Sequence, residues 1–521
     1  MRTTWLQSLS ALLAGAFTSI GVLFPAFGFI SLLGLIAFLI LLHSLDGSRR
    51  SILLTTLAFG FAYCGGVHIW LWNLLPLDWL GVTNPLYGYV LLLFYWSTIA
   101  FSFGSVFLLF TIPYVRYRSA LPLSGALFTA SLWTIVQYVQ MWGTSIVTAG
   151  DGSLFGAHYS TVLLGYAASA IPSLLLLARF GGIFVMTFAF VYGAALLASA
   201  AEQWFREKRV GSALYMAVAC LTLLGLGSFV IPSNDSDNRT IPIALVTTDF
   251  TTRGTFTRET ATKKVQSQIS ETLPSAPRGT LYVLPEEITV LTTDSNEAFL
   301  SALDNGDHGA LFSSAVHAGE KKRLRMFLYH SGTSTGFYDK MLLSPQGEYG
   351  PWFYQVWLRL IGGPQLVEAS RSNYTYERGT RTVVAHIPGA SIGALFCSDI
   401  LSPQLYRFLA RDGATVLTES TSLAWFHSSP IVDSVMLTIA RVRAAENNRY
   451  LVIAGNAAPS TVISNTGAVM ERTAMNSFSI LQTRIPVITE PSLYTRLGHL
   501  VLLPFLGVVL VTMITRRRKD S

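Results

Sequence analysis

The chain has 521 residues, 51% of them hydrophobic and only 12% charged, with a formal net charge of +7. A soluble globular chain carries roughly 25% charged residues, so much of this one is expected in lipid and an entirely soluble protein is excluded. The positive balance does not indicate nucleic acid. The cations gather at the ends of apolar runs, and neither a basic stripe interleaved with aromatics nor a nucleic-acid motif accompanies them.

Residues 3–45, 51–77, 79–115, 119–150, 180–201 and 211–234 contain no Asp, Glu, Lys or Arg. A spanning helix needs about 20 apolar residues, which predicts spans near 7–23, 26–45, 52–75, 88–113, 119–140, 180–201, 211–231 and 494–515. Phe24-Pro25 breaks the first two apart. The first also has the look of a signal peptide, with Arg2 before an apolar run and small residues at Ala14-Gly15-Ala16. Cys64 and Cys220 fall inside predicted spans and read as small buried hydrophobes.

Basic residues follow every even-numbered span: Arg49 and Arg50, then Arg116 and Arg118, then Arg206, Lys208 and Arg209, then Arg516, Arg517, Arg518 and Lys519. The positive-inside rule therefore puts both termini in the cytoplasm. The segment 158–178 is apolar enough to span, but a ninth span would move the Arg206 cluster outward. It is expected instead as an outward-facing, partly embedded stretch. Four regions result: a seven-span bundle over 1–232, an outward-facing domain over 240–488, a last membrane helix over 494–515 and a basic cytoplasmic tail over 516–521. A polar linker over 233–240 leads from the bundle into the domain.

Within 240–488, β-rich apolar runs occur at 241–247, 281–284, 325–330, 382–387, 392–397, 414–418 and 450–454. Helical patterns occur at 257–272, 403–411 and 431–447. Strands mixed with helices predict a layered α/β domain. Glu286 follows one strand, Lys340 opens a loop, and Cys397 ends another strand. An ionised Cys is a strong nucleophile that needs a base and a stabiliser for the oxyanion it creates. Glu286 can serve as the base and Lys340 as the cation. Each also has a plain reading, as a turn acid, a solvated lysine and a core cysteine. The nine histidines do not pair at metal-ligand spacing, and no metal or organic cofactor is implied.

The run from Lys340 to Tyr349 (KMLLSPQGEY), the run Arg443-Ala444-Ala445-Glu446, and the order Pro285-Glu286, Cys397, Trp425-Phe426, Arg449, Asn456, Gly467 together carry a resemblance. Over nearly its whole length the chain is similar to the apolipoprotein N-acyltransferases, a membrane branch of the nitrilase (carbon–nitrogen hydrolase) superfamily. The resemblance implies an α-helical membrane bundle of about eight spans plus an extramembrane nitrilase-like αββα sandwich, placed between the last two spans. It implies a Glu286–Lys340–Cys397 triad supported by Glu348. The implied reaction moves an acyl chain from a membrane phospholipid, through a Cys397 thioester, to the α-amine of a diacylglyceryl-cysteine lipoprotein at a bacterial inner membrane.

Four positions depart from the family pattern. Ser398-Asp399 stands where Tyr-Glu is usual, Gln346 replaces Phe, Leu284 replaces Trp, and Thr247-Thr248-Asp249 replaces a Gln-x-Asn. They bear on donor and acceptor preference rather than on reaction class. Arg443 and Glu446, three apart on a helix, are expected to pair structurally. Trp425 and Phe426 read equally as lipid-entrance or core residues. The competing readings are a membrane-tethered amidase or hydrolase with the same triad, a degenerate lipid-binding member, and a transporter. The last is disfavoured by the near absence of ionisable residues in the spans.

Overall fold

The computed structural model describes residues 2–45, 48–77, 82–117, 122–208, 212, 214, 239–251, 257–286, 288, 297–345, 347–373 and 376–520. Among the described residues, six helices are long and apolar enough to cross a membrane: Trp5–Leu23, Pro25–His43, Arg49–Val67, Pro85–Tyr117, Ala178–Phe205 and Leu493–Arg517. The span predicted over 119–140 is the helix Pro122–Val147, which buries Gln137 and Gln140. Apart from residues 212 and 214, the span predicted over 211–231 lies outside the described residues, as does most of the 233–240 linker. The third span ends earlier than predicted, at Val67, and a 3-10 turn Ile69–Leu74 follows. There His68 Nδ1 sits 2.8 Å from the Cys64 carbonyl oxygen, so a side chain partners the last turn of that helix. Helices Arg49–Val67 and Pro85–Ser105 touch through Gly60 and Gly104. A Cβ on Gly60 would stand 2.3 Å from the Gly104 carbonyl oxygen, so only glycine allows the backbones so close.

The stretch 158–178 does not form a helix of spanning length. It holds a buried 3-10 turn Leu164–Ala168 and a short helix Pro172–Leu176 packed against Ala178–Glu207. Irregular backbone inside an apolar bundle must find partners, and the polar residues of neighbouring helices supply them. Tyr63 Oη and Gln137 Nε2 both donate to the Val162 carbonyl at 2.7 Å, and Gln137 Oε1 accepts from the Leu164 N–H at 3.0 Å.

The second part is a sandwich of two six-stranded sheets, in the orders β12-β1-β2-β3-β4-β5 and β11-β10-β9-β8-β7-β6. The strands are β1 Thr240–Thr247, β2 Leu281–Val283, β3 Gly309–Ala318, β4 Lys321–His330, β5 Thr333–Asp339, β6 Val384–Ile387, β7 Ala390–Phe396, β8 Val416–Ser422, β9 Tyr450–Asn456, β10 Thr461–Ile463, β11 Val469–Arg472 and β12 Ser479–Pro486. Alternation along β1 builds both sides of its sheet. Ile243 and Leu245 join the core that also holds Ile392 and Ala394 of the other sheet. Ala244 and Val246 instead meet Val265 and Ile269 of the helix Arg258–Thr272. The helices Pro403–Arg411 and Pro430–Asn447 cover the second sheet, which completes αββα layering.

Every strand and helix predicted in this domain is present. Five strands, β3, β5, β10, β11 and β12, and the helices Glu297–Asn305 and Trp352–Asn373 were not predicted. β11 is exposed throughout and β5 mostly so; both therefore lack an apolar stripe. Helix Trp352–Asn373 carries Trp352, Val356 and Leu360 exposed at intervals of one turn. Its other face packs on the bundle, where Trp357 meets Phe94 and Phe353 stacks on Tyr95.

Candidate active site

The parallel strands deliver the site. Glu286 lies beyond the end of β2, and Cys397 directly follows β7, which runs parallel to β8. Lys340 directly follows β5. The sandwich brings the three together from both sheets.

Lys340 is 2% exposed and lies between two carboxylates. Its Nζ donates to Glu286 Oε1 and to Glu348 Oε1, each at 2.8 Å. Glu348 Oε2 accepts the Ser344 N–H at 2.7 Å, so this acid fixes the lysine and its loop at once. Burial pulls the Lys340 ammonium towards its neutral form, but Glu286, Glu348 and Cys397 outweigh it and hold the proton more tightly than usual. The arrangement presents a fixed positive charge beside the thiol.

Cys397 has φ +30°, a left-handed conformation rare for a residue with a side chain. The strained turn opens a 3-10 segment Cys397–Leu401 and presents the residue at the strand end with partial exposure. Desolvation and the Glu286 carboxylate push the thiol up, while the Lys340 ammonium opposes them. At rest Cys397 is therefore a thiol rather than a thiolate.

Ser398 and Asp399, the residues that depart from the family pattern, lock this turn to the lysine loop. Ser398 Oγ donates to the Leu342 carbonyl at 2.6 Å. Asp399 Oδ1 accepts the Leu342 N–H at 2.8 Å, and Oδ2 accepts Tyr338 Oη at 2.7 Å and the Phe396 N–H at 3.1 Å. Burial lifts the Asp399 carboxyl to about 6, against the pull of Lys340 and these donors. Sequence reasoning missed Tyr338 altogether and gave Ser398 and Asp399 no role; no spacing rule links a strand-end acid to a tyrosine 61 residues earlier.

Arg443 and Glu446 form their expected pair, both fully buried. The pair reaches further than one helix. Arg443 donates to the Ile400 carbonyl in the Cys397 turn at 3.0 Å, to Ser160 Oγ at 2.8 Å and to Tyr166 Oη at 2.7 Å. Glu446 Oε1 accepts the Ile183 N–H at 2.7 Å. One ion pair thus ties the site to the apolar bundle. The lysine loop is tied there too, since Tyr349 Oη donates to the Thr148 carbonyl and Trp352 Nε1 to that of Ile146. Phe426 packs edge-on against Trp70, while Trp425 is 48% exposed. Asn456 bridges the sheets by accepting Thr248 Oγ1 and the Phe250 N–H.

Residues 314–489 match the family model described as carbon-nitrogen hydrolase. An apolipoprotein N-acyltransferase of Pseudomonas putida is 25% identical over 90% of this chain and 88% of its own length. One of Nostoc sp. is 23% identical over 88% of this chain and 89% of its own length. One of Mycolicibacterium smegmatis is 29% identical, but the match spans only 32% of this chain and 26% of that relative. Among solved structures, an amidase from Nesterenkonia sp. is similar at 17% identity and a TM-score of 0.35, covering 47% of this chain and 90% of the amidase.

Proposed function

We propose that this chain, a membrane-associated enzyme that resembles the apolipoprotein N-acyltransferases along nine-tenths of its length, transfers an acyl chain from a phospholipid to the α-amine of a diacylglyceryl-cysteine lipoprotein. Its roles divide as follows. Glu286 takes the Cys397 proton. The thiolate attacks the ester carbonyl, and Lys340 stabilises the oxyanion as it forms. The lyso-phospholipid alkoxide leaves with the proton from Glu286, and a thioester remains. The lipoprotein amine then attacks the thioester carbonyl and expels the Cys397 thiolate. Glu348 holds Lys340 in place through the Ser344 loop.

The observation that carries this reading is Lys340, buried and held 2.8 Å from both Glu286 and Glu348 beside a cysteine in a strained turn. That site sits in a domain tied at several points to apolar helices. The basic clusters after alternate spans support a domain on the outer, periplasmic side with both termini in the cytoplasm. The exposed Trp352, Val356 and Leu360 suit contact with a lipid surface.

The test is to incubate the purified protein in micelles with a phospholipid carrying a tagged acyl chain, alongside Cys397→Ala. A hydroxylamine-sensitive label on the wild type alone, passing to an added diacylglyceryl-cysteine peptide, is the expected result. A label that decays equally fast without peptide would make the enzyme a hydrolase. No label from any phospholipid would remove phospholipid as the donor.

A further inference from the structure

A small cleft lies near Cys397, between the second sheet and the helix Pro430–Asn447, with room for about one water molecule. Its walls are apolar, formed by Ile400, Leu423, Met436 and Ile453. Two polar groups line it as well. Glu419 is fully buried on β8; Tyr406 Oη donates to its Oε2, but Oε1 has no hydrogen-bond partner. The Thr421 hydroxyl, two residues along the same strand face, is also buried and lies within hydrogen-bonding reach of the Cys397 thiol. At the rim stands the Asp433–Arg472 ion pair, part-exposed at 17% and 29%. Buried polar atoms are normally satisfied by protein or by ordered water, and an unpartnered carboxyl oxygen with a hydroxyl on the same strand face suits a bound water.

The proposed reaction has a proton to dispose of. Near neutral pH the acceptor is largely an ammonium. Its transfer step is R–NH₃⁺ plus acyl–S–Cys giving R–NH–acyl plus HS–Cys plus H⁺. The C–S bond breaks and the C–N bond forms. One amine proton ends on the Cys397 thiolate and the second must leave. The first step, from ester and thiol to thioester and alcohol, releases none. During transfer the front of the site is taken up by the acyl chain on Cys397 and the diacylglyceryl group of the acceptor.

We propose that the cleft is a water site that carries this proton away, from Cys397 past the Thr421 hydroxyl to water held by Glu419, and out at the Asp433–Arg472 rim. Glu419 suits the task because burial, with Asp399 and Glu286 near it, keeps its carboxyl protonated well above the usual range, while Lys340 and Arg443 pull the other way. A neutral acid can donate one proton and accept another without a net charge appearing in the interior. The proposal rests on the acyl-transfer reading above.

The two half-reactions separate the possibilities. Thioester formation from tagged phospholipid and transfer from preformed thioester to a diacylglyceryl-cysteine peptide are timed separately. The proteins are wild type, Glu419→Ala with and without added formate, and Ala458→Leu, which fills the cleft while leaving the Glu419 carboxyl in place. The expected result is transfer slowed about tenfold or more in both variants, thioester formation unchanged within about twofold, and transfer in Glu419→Ala partly restored by formate. Equal slowing of both steps would make Glu419 a packing residue and overturn the proposal. So would unchanged transfer in either variant. If the folded wild type forms no thioester, the acyl-transfer reading fails first and takes this proposal with it. Thermal melts of each variant show whether a loss is only unfolding.

Discussion

Asp399 and Leu342 are joined directly, carboxylate to backbone N–H at 2.8 Å, across two segments 57 residues apart in sequence. Because Ser398 also holds the Leu342 carbonyl, the turn that carries Cys397 and the loop that carries Lys340 are tied together at two points. A precise distance between thiol and ammonium then follows from the backbone rather than from two flexible side chains, which is how a positioned site is kept within the tolerance that acyl transfer needs.

The carboxyl of Asp399, lifted to about 6, makes this joint pH-sensitive. A raised acid binds more protons in the folded than in the unfolded state between its unfolded value, about 3.9, and about 6. Stability therefore falls as pH rises through that window and is level above it, by about 3 kcal/mol in all. Activity should run the other way, because the protonated acid loses acceptor strength towards Leu342, Phe396 and Tyr338. Thioester formation is expected to drop below about pH 6 in wild type. Asp399→Asn should be slower throughout and nearly flat from pH 5 to 7. A wild-type profile flat over that range would disprove the role.

Lys340 separates structure from chemistry. Lys340→Met leaves Glu286 and Glu348 buried without their cation, a loss of about 3–5 kcal/mol. Adding Glu348→Gln should recover part of the melting temperature, since one uncompensated charge is gone. Thioester labelling should stay undetectable in both. Recovery of labelling in the double variant would remove Lys340 from the chemistry.

Arg443 predicts a coupling between bundle and site. Arg443→Lys keeps the charge but cannot reach Ile400, Ser160 and Tyr166 together, because an ammonium lacks the planar fork. The expected outcome is a lower melting temperature and faster alkylation of Cys397 by iodoacetamide as the turn loosens. An alkylation rate equal to wild type would confine Arg443 to its own helix.

The exposed face of helix Trp352–Asn373 is expected to act on substrate access. Changing Val356 and Leu360 together to Ser should raise KM about fivefold or more for phospholipid in vesicles, because buried apolar area sets interfacial binding. The rate on a short-chain donor below its micelle concentration should not change. Equal effects on both donors would show damage to the site instead.

Much of this was legible in the sequence. Apolar runs without charge marked the helices, and short continuous apolar runs marked the strands buried on both faces, such as β7 and β9. The Lys340 loop was readable because its residues sit together in the chain. The partly covered strands were not, since β5 spends most of its length exposed. Nor were the links from Asp399 to Tyr338 or from Arg443 to Tyr166, which depend on which loops the sandwich folds side by side. Glu419 was invisible for a related reason. An acid in a strand is usually at the surface, and only the packing of Tyr406 and Met436 shows that this one is inside.

The Gly181-Gly182 break has a consequence for how the molecule is made. Gly182, with φ +65°, interrupts the helix, and the restarted turn offers its Ile183 N–H to Glu446, 263 residues later in the chain. A ribosome therefore delivers the helix long before it delivers the acid that satisfies it. Until the sheet domain has been synthesised and has docked, the first turn of that apolar helix lacks its built-in acceptor. Completion of the bundle is thus tied to completion of the domain, and a chain truncated before Glu446 should remain a substrate for membrane proteases.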